Sequence, residues 1–491
     1  MYKRLIINCL ACFAVTSLFG QVDNDWGKRV RESHEKAREE YEQFKQQAQQ
    51  EYEDFRRQAN EEYARFMENP WTAFESEPAE EIPQLPKPPQ PVVVDPTERP
   101  VAVPIPFEGK PLAPKPIAQP QPLEPIIPKI QPEAPKTVVR FYGTDVTFRF
   151  AMPTTLRLKD VTEKSVSAFW KQLSQPAFDN LIAQCLLRRS QMNLCDWAYV
   201  ILTEQVAEQF CGGHNNEAVV LHQYLLTQSG YQMRLARAGE RLCVLVGSNE
   251  KIYHYRYFTI DGAMYYNFDK SLEGQKFQIF NHAFPQEKMM SLVMSQPKLA
   301  VEKTAPRTLE AQRYGKVTAT VVLNKNLIDF FNSCPLNSEW ALYSKASLSE
   351  QAKDSLYPAL RQAIEGKTQV EAANILLNFV QTSLNYAIDQ KQFGYERPLY
   401  PDESLYYPYC DCEDRSILYA CLVRELMGLE VVLLDYPEHI ATAVQFSDAV
   451  EGDYLTVEGK RYVVCDPTYI GATVGMAMPK MKPYCPKVII L

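Results

Sequence analysis

Three residues in the C-terminal part of the chain have the types and the order that a thiol catalytic triad requires. Cys412 precedes an apolar run that predicts a helix, His439 begins an apolar segment that predicts a strand, and Asp466 ends another such segment. A cysteine attacks a carbonyl carbon as a thiolate, a histidine can carry the proton, and an aspartate can orient the imidazole. The three settings therefore predict nucleophilic thiol chemistry.

The helix predicted after Cys412 would assist that chemistry. A helix N-terminus has unpaired N–H groups and a partial positive charge, which stabilise a thiolate and can bind an oxyanion. Asp411, Glu413 and Asp414 surround the cysteine. Because acidic residues are common at helix starts, capping is the simpler explanation for these carboxylates.

Two segments of the chain repeat one order of features. Strand-like runs at 138–150 and 317–331 open the segments, and helices that end in glycine follow at 216–230 and 414–428. Apolar strands and a turn glycine then precede a Tyr-x-x-x-Asp motif in both. This shared order predicts a duplicated domain.

The spacings within the two segments agree. Gly230 precedes Asp269 by 39 residues, and Gly428 precedes Asp466 by 38 residues. This alignment gives each triad position a counterpart in the first segment.

The first segment lacks the thiol at the position that corresponds to Cys412, where it has His214. Arg241, or Leu242 if the one-residue offset falls earlier, stands in place of His439, whereas the aspartate is kept. We therefore expect the first copy to be inactive and the second to carry the chemistry.

The triad segments resemble the transglutaminase-like superfamily, whose papain-type core has a helix-borne cysteine and a sheet-borne histidine and aspartate. The resemblance covers about 370–480. The matching motifs, in chain order, are Leu384-Asn385-Tyr386, Pro401-Asp402-Glu403-Ser404-Leu405, Cys410-Asp411-Cys412-Glu413-Asp414, His439-Ile440-Ala441 and Asp466-Pro467-Thr468. Cys410 replaces the usual glycine, and Ile440-Ala441 lacks the aromatic residue that often follows the histidine.

The resemblance implies an α+β fold with two tandem papain-like domains. It also implies Cys412 as nucleophile, His439 as base and Asp466 as the residue that orients the imidazole, with no metal or organic cofactor. The substrate would be an amide or peptide of a protein or of the cell wall, and the acceptor would be water or an amine. The alternative is a binding or envelope-scaffold protein in which both copies are inactive.

Other arrangements of cysteine and histidine stay open from the sequence. Cys211 with His214 or His254 could form a second thiol site. A disulfide of Cys410 or Cys465 could control Cys412. A zinc site is a further alternative, although Cys-x-Cys is not the usual zinc spacing; its candidate ligands are Cys410, Cys412, His439 and Cys465.

The N-terminus predicts export. Residues 1–20 have a basic start and a short apolar run, which are typical of a signal peptide, with cleavage near Gly20-Gln21. A lipoprotein signal acylated at Cys12 and an uncleaved anchor are the alternatives. We expect a protein secreted across the inner membrane into a periplasm. The net charge of −8, without a basic stripe, argues against nucleic acid as a partner.

Two segments, a predicted helix and a predicted linker, separate the signal from the globular part. Within residues 21–69, the helix predicted at 24–68 repeats alanine, tyrosine and phenylalanine every eleven residues, which places them on one stripe. Its mixed charges favour a protein partner over a membrane surface. Residues 70–136 are rich in proline and predict a semi-rigid linker. The two copies would then occupy 137–300 and 310–491.

Overall fold

The computed structural model describes residues 36, 38–39, 43, 47, 50–51, 53–84, 87–88, 90–95, 97–98, 101–107, 110–111, 133–313 and 316–491. The predicted signal segment, with Cys12, lies outside these residues, as do five positions of the eleven-residue repeat, Ala37, Tyr41, Phe44, Ala48 and Tyr52. The chain divides into two compact units, Met1–Glu62 and Tyr63–Leu491. The described residues of the first unit are helical, and helical backbone ends at residue 66.

The second unit contains two sheets, each packed against helices. The elements up to the end of the first sheet are β1 (Thr72–Phe74), β2 (Lys136–Phe141), β3 (Thr144–Arg149), α1 (Glu163–Leu173), α2 (Pro176–Gln191), α3 (Asp196–Cys211), α4 (Asn216–Gln228), β4 (Met233–Ala238), β5 (Arg241–Gly247), β6 (Tyr257–Ile260), β7 (Ala263–Asn267) and β8 (Phe277–Phe280).

The remaining elements form the second half of this unit. They are β9 (Arg307–Glu310), β10 (Thr318–Val321), α5 (Lys325–Ser333), α6 (Trp340–Lys345), α7 (Glu350–Ile364), α8 (Gln369–Ser383), β11 (Asn385–Tyr386), α9 (Asp389–Gln392), α10 (Pro401–Tyr406), β12 (Tyr409–Cys410), α11 (Cys412–Met427), β13 (Val431–Tyr436), β14 (His439–Val444), β15 (Tyr454–Val457), β16 (Lys460–Cys465) and β17 (Lys487–Ile490). This mixture of helix and sheet confirms the α+β class.

The two sheets have the same strand order and the same register. The first sheet runs β1-β8-β4-β5-β7-β6, and the second runs β17-β13-β14-β16-β15, with every pairing antiparallel. Ala238 pairs with Arg241 in the first sheet as Tyr436 pairs with His439 in the second. Corresponding strands therefore end at the same side of each sheet. Strand β1 is an extra strand of the first sheet.

Matching turns fix this register. The β6–β7 hairpin turns through Asp261 and Gly262, whose φ angles are 50° and 79°. The β15–β16 hairpin turns through Glu458 and Gly459 with the same two values. Two residues with positive φ suit the right-handed twist of paired strands, and glycine reaches this region at little cost. The turns therefore set which strand residues face one another.

Helix α11 lies at the centre of the second half. It packs on β13 and β14 on one side and on α6, α8 and α10 elsewhere. Its residues from Cys412 to Val423 are all buried, and Gly428 ends it in the left-handed conformation. The apolar run predicted to follow the cysteine is therefore a buried helix, and its first turn is held rigidly at the sheet.

The strand predicted at 317–331 is wrong beyond Val321. The structure has a short strand there, and the following residues form α5. Asn324 begins this helix by accepting a hydrogen bond from the Asn326 N–H at 3.2 Å. A local cap therefore overrides the apolar pattern that indicated a strand.

The described part of the proline-rich segment lies against the globular body. Ile105 is buried in the core of the second sheet, and its N–H donates to the Tyr454 carbonyl at 2.8 Å. Near its other end, β1 adds to the edge of the first sheet. The composition predicts a spacer, but these residues use their free backbone groups to pair with strand edges. Of the helices that the structure describes, none has both the length and the apolar character of a membrane span.

Candidate active site

Cys412 is the first residue of α11 and has no exposed surface. The backbone N–H of Ile440, the residue after His439, hydrogen bonds to its thiol. Ser416, one turn further along the helix, donates to the Ile440 carbonyl at 3.0 Å. These contacts place the start of α11 against the start of β14, so the cysteine and the histidine lie at one junction.

His439 and Asp466 form a buried pair. The imidazole Nε2 lies 2.8 Å from Asp466 Oδ2, and both residues are about 1% exposed. Asp466 follows β16 directly, and its Oδ1 accepts the N–H groups of Thr468 and Tyr469 at 2.9 and 3.1 Å. The aspartate is thus fixed by its own turn and orients the histidine with its other oxygen.

Gln381 on α8 supports the loop that carries Asp466. Its side-chain amide donates to the backbone carbonyls of Asp466, Tyr469 and Ala472 at 3.0, 2.8 and 3.2 Å. The Gly471 N–H returns a hydrogen bond to its Oε1 at 3.1 Å. A single buried amide therefore holds the whole turn, and nothing in its sequence neighbourhood predicts this role.

Buried carboxyl groups surround the start of α11. Each has a relative exposure of 6% or less, and together they are Asp389, Glu396, Asp411, Glu413 and Asp414. Their side-chain oxygens fall into groups within 4.8 Å of one another. Because burial disfavours charge and the neighbouring carboxylates repel, the pKa of Asp389 is raised to about 11 and those of Asp411 and Asp414 well above their usual range.

Lys87, from the proline-rich segment, lies inside this cluster. Its ammonium group donates to Asp411 Oδ2 at 2.9 Å and also to Glu396 and Glu413. Burial lowers the pKa of this ammonium, but Glu413 and Asp411 outweigh burial, so the pKa lies well above its ordinary value. The lysine is therefore charged and pairs with three carboxylates that would otherwise repel one another.

The surroundings of Cys412 favour the protonated thiol in this state. Burial raises its pKa well above the ordinary value, and the adjacent Glu413 carboxylate raises it further. The Lys87 ammonium and the Ile440 N–H act in the opposite direction. The thiol donates a hydrogen bond to Glu413 Oε2, and the sulfur and oxygen atoms are 3.3 Å apart. The sequence favoured helix capping as the role of Glu413. Capping alone does not account for the contact between Glu413 and the thiol.

The corresponding edge of the first sheet has a different cluster. Arg241 donates to Asp269 at 2.8 Å, and His214 Nε2 lies 4.0 Å from the same carboxylate. The register identifies Arg241, not Leu242, as the counterpart of His439. The three side chains are partly open to solvent, with 46%, 51% and 22% exposure for Arg241, His214 and Asp269. The structure therefore brings the counterparts of the three triad positions together, with an imidazole at the position of the Cys412 thiol.

The alternative cysteine arrangements do not assemble among the described residues. His214 pairs with Glu208, and His254 lies 2.7 Å from Glu81, so each imidazole has a partner other than Cys211. The ten described cysteines are free thiols. The groupings of potential metal ligands in the described chain do not unite Cys410, Cys412, His439 and Cys465.

A cleft of about 840 Å³ opens next to the acidic cluster. Its wall includes Glu396, which pairs with Lys87, together with Ile82, Gln84, His254 and Lys270. It lies between the proline-rich segment and both halves of the second unit. Solvent therefore comes close to the Lys87 pairs from this side.

Sequence reasoning missed Lys87 and the buried carboxylates of Asp389 and Glu396. The lysine stands between two prolines, as Lys115 stands between Pro114 and Pro116, so the local sequence does not distinguish it. Comparison of the chain with protein-family models, curated proteins and solved structures found no match.

Proposed function

We propose that this protein is a thiol enzyme of the transglutaminase-like type, with Cys412 as nucleophile, His439 as proton carrier and Asp466 as orienting residue. The observation that carries the proposal is the buried 2.8 Å pair of His439 and Asp466 beside a helix that begins with a cysteine. A structural histidine could also be buried and paired. His439, however, directly precedes Ile440, whose N–H contacts the Cys412 thiol, and this position favours a chemical role.

The geometry assigns a role to each ring atom. Because Asp466 holds Nε2, His439 would exchange a proton with the thiol through Nδ1. The Cys412 thiolate would attack the carbonyl carbon of an amide or peptide, and N–H groups at the start of α11 would stabilise the oxyanion. The C–N bond then breaks, the amine takes the proton from His439, and a thioester remains. Water or a second amine would release the acyl group and return a proton to His439.

Duplication is part of this proposal. The common strand order and register of the two sheets support an origin as tandem copies, with the copy that contains Asp269 inactive. We propose secretion to a periplasm, with a protein or cell-wall peptide as substrate and a protein partner for the helix of 24–68.

The test measures how the alkylation of Cys412 by iodoacetamide depends on pH, read on the Cys412 peptide by mass spectrometry. The ratio of rates at pH 6.5 and pH 9 within one protein cancels differences in access. An unactivated thiol of ordinary pKa should lose roughly a hundredfold in rate at the lower pH. Because the closed site raises the pKa of Cys412, we expect the activated thiol in the opened state from which it reacts. The ratio of the two rates should then lie within about tenfold of one, and His439→Ala should show the hundredfold loss.

A scaffold function is the second candidate, and the complete burial of Cys412 with its raised pKa favours it. It predicts that Cys412 shows the pH dependence of an unactivated thiol, with or without His439. It also predicts no release of amine from peptide or cell-wall amides, with Cys412→Ala indistinguishable from the unmodified protein.

A further inference from the structure

A segment of the proline-rich region crosses the second half of the molecule beside the proposed triad. We call the described residues between 84 and 105, namely 84, 87–88, 90–95, 97–98 and 101–105, the strap. Gln84 bonds to the Gln390 side chain at 2.7 Å, and the Pro88 carbonyl accepts from Tyr386 Oη at 2.8 Å. Further along, the Ile470 N–H donates to Val92, and the Val94 N–H donates to Ile470. Three of these four hydrogen bonds use the backbone of the strap, as those of a bound extended peptide would.

The attachment points lie on either side of the triad. Lys87 bonds to Asp411 and Glu413, the two residues that flank Cys412. The next anchor is Ile470, four residues after Asp466. Lys87 therefore contacts the segment that carries Cys412, and Val92 and Val94 contact the segment that follows Asp466.

Lys87 is the polar anchor of the strap. Its side chain is 2% exposed and pairs with three buried carboxylates, whereas both side chains of the Lys460–Glu430 pair are about half exposed. Breaking a buried pair by removing one partner is strongly destabilising, because the other charge stays buried. Loss of the lysine should therefore release the strap, which lets water reach the carboxylates.

We infer that the strap is an internal inhibitor that occupies the substrate groove beside Cys412, with Lys87 as the residue that anchors it. The inference rests on the proposed role of Cys412 as nucleophile. The groove it leaves would accept an extended peptide with a cationic side chain at the Lys87 position. Displacement of the strap is then a requirement for activity.

The experiment compares the rate of Cys412 alkylation between full-length proteins at one pH. Because the Lys87 ammonium lowers the pKa of the thiol, its removal alone would slow the reaction, so a faster rate reports greater access. Lys87→Ala should raise the rate at least tenfold. Lys110→Ala, which removes an exposed lysine of the same proline-rich region, should leave it unchanged. Tyr386→Phe removes one neutral hydrogen bond to the strap and should raise the rate about fivefold.

A synthetic peptide of residues 82–95 tests occupancy directly. Added to the Lys87→Ala protein, it should slow alkylation of Cys412, and the same peptide with glutamine at position 87 should not. Equal protection by both peptides, or wild-type rates in both Lys87→Ala and Tyr386→Phe when their thermal unfolding is cooperative, would overturn the inference. If access rises but the pH ratio is that of an unactivated thiol, the strap inference stands and the proposed enzyme fails.

Discussion

Asp466 divides two tasks between its carboxylate oxygens. Oδ1 accepts the backbone N–H groups of Thr468 and Tyr469, and Oδ2 faces His439. An asparagine at position 466 could accept the two backbone N–H groups through its carbonyl oxygen. Its amide nitrogen would then present an N–H group to the imidazole. The ring would then have to accept at Nε2 and carry its proton on Nδ1, the wrong tautomer for taking a proton from the thiol.

Asp466→Asn should therefore lose chemistry without losing the fold. We expect activity on an amide substrate to fall by about 10⁴, as for an imidazole held in the wrong tautomer. The free energy of unfolding in urea should change by less than about 1 kcal/mol. Asp269→Asn, at the corresponding position of the first sheet, is the matched control and should retain activity. Equal losses in both variants would refute the assignment.

At the scale of elements, helix α4 contains a buried neutral histidine. His222 is 6% exposed, and its Nε2 donates to the Val200 carbonyl at 3.1 Å. Burial lowers its pKa to about 4. The unfolded chain, with an ordinary histidine pKa near 6.5, binds more protons between these two values. Stability should therefore fall as the pH falls through this window, by roughly 3 kcal/mol over its full width.

His222→Gln should remove that pH dependence. The difference in unfolding free energy between His222→Gln and the unmodified protein, measured in urea from pH 8 to pH 4, isolates the histidine from the other acidic groups. At pH 8 the imidazole is neutral in both states, so the difference there reports packing alone. A difference that stays constant down to pH 4 would contradict the prediction.

The loop after β16 depends on α8 through one side chain. Gln381→Ala would leave three buried carbonyls and the Gly471 N–H without their partner. We expect a loss of about 3 kcal/mol in unfolding free energy, together with reduced activity because Asp466 lies in this loop. Gln362→Ala, on the exposed face of α7, should stay within about 0.5 kcal/mol.

At the scale of the whole molecule, Tyr63, the first residue of the second unit, packs against the first sheet. Its ring lies 4.8 Å from Trp170 and 5.4 Å from Phe280, and its hydroxyl accepts from Gln223 at 3.2 Å. Tyr63→Ala should cost about 3 kcal/mol because the buried ring leaves a cavity. Phe66→Ala, 44% exposed, should cost less than about 1 kcal/mol in the same urea titration. Similar costs for both would show that Tyr63 is not an anchor.

The edges that carry the triad positions differ between the two sheets, although the strand order is the same. In the first half, Arg241, His214 and Asp269 are partly solvated. In the second half, the corresponding edge is closed, and Cys412 has no exposed surface. The difference does not come from the sheets, which share their register. It coincides with the strap, which packs on the second half.

Much of the local structure follows from the sequence. The helix that ends at Gly428, the turn before Asp466 and the start of a strand at His439 all depend on neighbours a few residues away. Propensity, capping and turn chemistry act at this range, so these features were predictable. The strand expected at 317–331 failed beyond Val321 because a cap at Asn324 favours a helix.

The sequence by itself determined the order of cysteine, histidine and aspartate, the elements that carry them and the α+β class. Only the tertiary structure decided that Lys87 pairs with Asp411, 324 residues away, and that Cys412 is completely buried. The physical reason is range: periodicity and caps are encoded among near neighbours. A buried charge pair depends on which distant parts of the chain come into contact. The residues next to a lysine between prolines do not indicate which carboxylates it will bind.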